Sequence, residues 1–119
     1  MTRSSIVAVT VLLIALCAPA RAETHSFSRM PDPRGEFIRL CAPSMVKRSA
    51  HPEAVCDCLH RQAVAMVDDV EVRDALLYGI SETGVPTIDK AWLPPAKEQQ
   101  IDPTLTRIAA PTMACIYGQ

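Results

Sequence analysis

Four cysteines, Cys41, Cys56, Cys58 and Cys115, constrain the fold of this chain more than any other feature. Cys56 and Cys58 lie in a stretch with helical spacing, two positions and so about 200° apart around the axis, and point to opposite sides. Their Cβ vectors diverge, so they cannot bond to each other and each must reach a distant partner. One takes Cys41 and the other Cys115. Either choice staples the first and last helices to the middle one. Because Cys56 falls on an apolar stripe where an apolar last helix should pack, the expected pairs are Cys56 with Cys115 and Cys41 with Cys58. The swapped pairing closes loops of similar length and stays open.

In an oxidising compartment an even set of cysteines reads as two disulfides, and the first 22 residues point to such a compartment. Arg3 gives a short positive start, and residues 6–18 form an apolar run of 13. A membrane-spanning helix needs about 20 such residues. Ala20 and Ala22 are small residues at the two positions a signal peptidase reads, which predicts cleavage before Glu23. The fifth cysteine, Cys17, follows Leu16, whereas a lipoprotein signal has a small residue there. Residues 1–22 are therefore expected to be a signal peptide, and the product to be periplasmic or secreted, with no membrane association after cleavage.

Removing 22 of 119 residues leaves 97, enough for one domain. Arg3 and Arg21 leave with the signal, so ten of the 12 basic residues face all 13 acids, a net charge of −3. No basic cluster survives, which argues against nucleic acid or an anionic membrane surface as partner. A chain of this size buries roughly two-thirds of its surface, so crosslinks are expected to add to a thin core.

Along the chain, residues 23–35 hold two prolines and a glycine without periodicity and read as a flexible lead-in. The domain proper is expected over 36–119. Phe37, Leu40 and Cys41 have helical spacing, and Pro43 should end or kink that helix. His51-Pro52 opens a second helix with proline in its first turn, and Cys56, Leu59, Ala63, Met66 and Val67 form its stripe. Asp68 or Asp69 caps a third helix that closes near Gly84. Residues 85–102 read as an irregular connection. Asp102-Pro103 then caps a last helix that carries Cys115, with a kink expected at Pro111. The fold class is all-α, a small four-helix bundle stapled by disulfides.

Few residues suggest chemistry. Cys56, Cys58 and His60 are the one cluster with metal-ligating types, since Cys56 and His60 are a helical turn apart. Reduced, they would suit copper(I) or zinc. Paired in disulfides, they are half-cystines beside an ordinary histidine, and no metal or other cofactor is expected. Haem attachment needs C-x-x-C-H, which is absent. Asp68, Asp69, Glu71 and Asp74 form an acidic run without the glycine and terminal glutamate of a calcium loop, and read as the acidic start of a helix. No nucleophile motif, zinc-protease motif or phosphate-binding glycine loop occurs, so no catalytic residue is assigned and a non-enzyme is expected.

The order Phe37-x3-Cys41, Cys56-x-Cys58 opening a helix, and a lone Cys115 in the last helix resembles a pattern in small exported helical proteins of proteobacteria. Those proteins have no assigned function, so the resemblance implies a helical disulfide domain and no site residues. A looser similarity is to small periplasmic immunity proteins of type VI secretion, which also tie helices by a disulfide. The expected function is protein binding, as a subunit, inhibitor, immunity protein or chaperone. Trp92 and Leu93, in the 85–102 connection, are the candidate contact residues. The competing reading of Trp92 is a lid folded back on a core short of aromatics. The alternative function is a copper or zinc carrier using Cys56, Cys58 and His60.

Overall fold

A computed structural model describes residues 26–118. The expected signal peptide, Cys17 and His25 lie outside the described residues, which form four α-helices and no strand.

Helix α1 spans Pro33–Met45. Asp32 caps it by accepting from the Gly35 N–H at 3.0 Å, and Pro33 fills the first position, where a missing N–H is harmless. Its buried residues Phe37, Cys41 and Met45 recur every four positions and form one stripe. Pro43 does not end the helix. It sits two residues from the C-terminus, where only the carbonyl one turn back loses a partner.

Helix α2 spans Pro52–Met66 and α3 spans Val70–Thr83, with their caps at the expected residues. Asp69 Oδ1 accepts from the N–H groups of Glu71 and Val72, at 3.0 and 3.2 Å. Gly84 closes α3 at φ 73°, a left-handed conformation that glycine adopts without strain. Asp69→Ala should therefore cost about 1–2 kcal/mol of stability in a denaturant titration, and Asp69→Asn much less.

After α3 the chain crosses back so closely that a Cβ on Gly79 would lie 2.1 Å from the Thr87 carbonyl oxygen. Two short 3₁₀ turns follow, Lys90–Trp92 and Pro95–Gln100, and the second runs directly into α4, Ile101–Tyr117. Gln100, not Asp102, is the capping residue. Pro103 is the third residue of α4, among the first four positions whose N–H groups have no helical acceptor, so the helix begins ahead of it at no cost.

Helices α1, α2 and α3 surround a core that includes Phe37, Met45, Leu59, Leu76 and Ile80, all fully buried. Ser44 Oγ donates to the Ser81 carbonyl and Arg48 to the Gly84 carbonyl, which fixes the end of α1 against the end of α3. Helix α4 lies on α2, with Thr104, Ile108, Thr112 and Cys115 inward.

The disulfides are Cys41–Cys56 and Cys58–Cys115, with Cα separations of 6.0 and 5.6 Å. Each of the neighbouring cysteines takes a distant partner, as helix geometry requires, but the pairs are the swapped ones. Cys56, which shares the most buried stripe of α2 with Leu59 and Ala63, bonds to α1 rather than to α4. Helix α4 takes the flank carrying Cys58 and Met66, where Arg107 donates to the Met66 carbonyl at 3.1 Å.

The lead-in also differs from expectation. Residues 27–29 form a 3₁₀ turn, and Phe27, 2% exposed, packs edge-on against Phe37 with centroids 5.9 Å apart. A single three-residue turn has no periodicity to show in a sequence, so the buried aromatic reads there as part of a tail.

Candidate functional site

The arm formed by residues 26–30 lies over a charged group that α3 carries inward. Asp74 shares a side of α3 with Leu77 and Ser81, and all three are buried. A buried carboxylate must find donors. Ser28 supplies two, its N–H to Oδ1 at 3.3 Å and its Oγ–H to Oδ2 at 2.6 Å. Burial pushes the Asp74 carboxyl above its ordinary range, against the opposing pull of these hydrogen bonds and of Arg73 and Arg29.

A crevice opens on each side of the arm, and Ser28 and Asp74 line both. The first, about 240 Å³, lies between α2 and α3, with His60 and Val64 on one wall, Arg73 and Leu77 on the other, and Phe27 at its edge. The second, about 120 Å³, is bounded by Arg29 of the arm, Val70, Glu71 and Ala75 of α3, and Trp92. Cofactor and drug-sized pockets run from about 300 Å³ upward, so each crevice is the size of a side chain. Both have an exposed valine among their lining residues, Val64 at 48% and Val70 at 45%.

Two residues singled out in the sequence therefore meet the same site from opposite ends. His60 lines the first crevice with its ring 5.7 Å from Phe37, and burial, with Arg34 assisting, lowers its pKa and favours the neutral imidazole. Trp92 lines the second and stacks edge-on against Tyr78, with centroids 4.6 Å apart. Leu93 is 6% exposed and belongs to the core, so it offers no contact surface. Cys56, Cys58 and His60 are not brought together as ligands: the first sulfur is bonded toward α1 and the second toward α4. Among the described residues no three or more His, Cys, Asp or Glu side chains are grouped to hold a metal.

Ser28, Asp74 and His60 are the residue types of an acyl-transfer triad, but not its arrangement. The serine donates directly to the carboxylate, and among the described residues no hydrogen bond joins His60 to either. In such a triad the imidazole stands between serine and carboxylate and takes the hydroxyl proton.

Sequence reasoning missed Asp74 by grouping it with Asp68, Asp69 and Glu71. The others do different work: Asp69 caps α3, and Lys97 bridges Asp69 and Glu71. The available signal was the position of Asp74 three residues before Leu77, on a mostly apolar inward face whose other polar member is Ser81.

The environment of Asp74 predicts a pH effect. Burial favours the neutral acid, so this group's contribution to stability is full below its unfolded-state pKa and is lost as pH rises through the raised folded value. Asp74→Asn removes that dependence. Wild-type stability relative to the variant should increase as pH is lowered from 7 towards 4, measured by urea unfolding. A difference independent of pH would show that Asp74 is not held in this way.

No family model matches the chain, and no curated protein or solved structure matches it.

Proposed function

We propose that this is an exported, non-enzymatic domain that binds a partner protein, holding an extended segment of it across Asp74 between α2 and α3. The observation that carries this reading is the buried carboxylate flanked by two side-chain-sized crevices, each with a half-exposed valine. Such a layout suits successive side chains of a peptide with one polar group between them, and Asp74 supplies the orienting acceptor.

Export is supported by the two disulfides, which persist in oxidising compartments. None of the described helices is long and apolar enough to cross a membrane. The non-enzymatic reading is supported by the wrong order of hydrogen bonding around Ser28.

Val64→Arg places a charge at the first crevice without touching the core. Lys47→Glu alters an exposed site beyond the far end of α1. A partner that co-purifies with wild-type protein from the exporting cell should be retained by Lys47→Glu and reduced at least tenfold by Val64→Arg. Equal recovery with both variants would remove the groove as the binding site.

A further inference from the structure

We infer that residues Phe27 and Ser28 occupy the place of the partner, whose bound segment carries an aromatic residue directly followed by serine or threonine. This deepens the binding reading above and rests on it.

The arm sits on the domain as a short peptide ligand would. Phe27 is buried as an anchor against Phe37, and the next residue gives both of its donors to Asp74. The remaining backbone bonds of the turn are internal, Arg29 N–H to the Ser26 carbonyl and Met30 N–H to the Phe27 carbonyl. Phe27 in the core, Met30 packed against its edge and the two Ser28 donors hold the arm to the domain.

The arm can leave as a unit. Pro31 and Pro33 flank Asp32, whose side chain caps α1 by accepting from Gly35 in the first turn. Displacement leaves that cap intact. Ser28 is the wall common to both crevices, so lifting it joins them into one groove from Val64 to Trp92 with Asp74 in its floor. A partner must displace an occupant that is always present at high effective concentration, which weakens its apparent affinity. The chemistry it must match is that of Phe27 and Ser28: a flat apolar group for the slot beside Phe37, then a hydroxyl beside its own N–H for the two oxygens of Asp74.

The probe is a fluorescent peptide with the sequence of residues 26–32, SFSRMPD, titrated against protein exported from the full chain. Phe27→Ala, which weakens the internal occupant, should bind it at least ten times more tightly than wild type. Ser28→Ala, which lacks only a hydroxyl, should gain about threefold and guards against a folding defect in the first variant. Adding Asp74→Leu to Ser28→Ala should return binding to the wild-type level or below, and the peptide SASRMPD should bind none of them. Equal affinity for wild type and Ser28→Ala, or tight binding of SASRMPD, would overturn the inference. If SFSRMPD binds no variant while Val64→Arg still loses the co-purified partner, the inference fails and the binding reading stands. A wild-type dimer by light scattering that Phe27→Ala abolishes would assign the groove to the arm of a second copy, which also overturns it.

Discussion

Reduction of both disulfides should unfold this domain or lower its melting temperature by tens of degrees. The crosslinks join residues 15 and 57 positions apart. Restricting the unfolded chain over loops of that size is worth about 3 and about 4 kcal/mol. Together these approach the whole stability of a typical small domain, about 5–15 kcal/mol. The two bonds should also differ in access. Cys41 and Cys56 are both 0% exposed, whereas Cys58 is only partly buried at the boundary of α2 and α4. Under native conditions a thiol reductant should open Cys58–Cys115 first, and alkylation followed by mass spectrometry should label Cys58 and Cys115 before Cys41 and Cys56. An unchanged thermal transition after full reduction would mean that the crosslinks are not structural.

Phe37→Ala should be among the most damaging single substitutions, costing about 3–5 kcal/mol. Phe37 is fully buried on α1 and touches two other rings, Phe27 of the arm and His60 of α2. Its loss opens a cavity where three segments meet and takes away the surface against which the arm is anchored. Tyr117→Ala, at a residue 69% exposed, should change stability by no more than about 0.5 kcal/mol. Urea midpoints of the two variants, with disulfides intact, would give the comparison. Similar losses at both positions would contradict the burial of Phe37 and the exposure of Tyr117.

The parts of the fold legible in the sequence are those with local signals at both ends. Pro52 at the start of α2, Asp69 capping α3 and Gly84 closing it each act within a few residues, so their reading does not depend on tertiary packing. Pro43 and Pro103 misled because proline is costly only where its N–H would have been used, and both lie near helix ends. The disulfide pairing needed one fact no local pattern contains: which neighbour covers the stripe of Cys56. Elimination on one helix showed that Cys56 and Cys58 part company, and only the packing of α1 on that stripe decides their partners.

The site was legible in fragments. His60 and Trp92 stood out as residue types, but the elements that join them, the arm and Asp74, looked ordinary in the sequence. Phe27 is one aromatic among prolines and serines, and Asp74 is one acid in a run of acids. Folding separates these roles: the helix start keeps Asp69 and Glu71 within reach of Lys97 and turns Asp74 inward to Ser28.

The groove over Asp74 as the partner site is tested most directly by site-specific photo-crosslinking. A photoreactive residue placed at Val64, in the first crevice, or at Lys47, beyond the far end of α1, would be activated in the cell that exports the protein. A discrete adduct with a second protein is expected from Val64 and none from Lys47. Val70, lining the second crevice, should yield an adduct with the same protein. An adduct from Lys47 with none from Val64 or Val70 would place the partner away from the Asp74 groove.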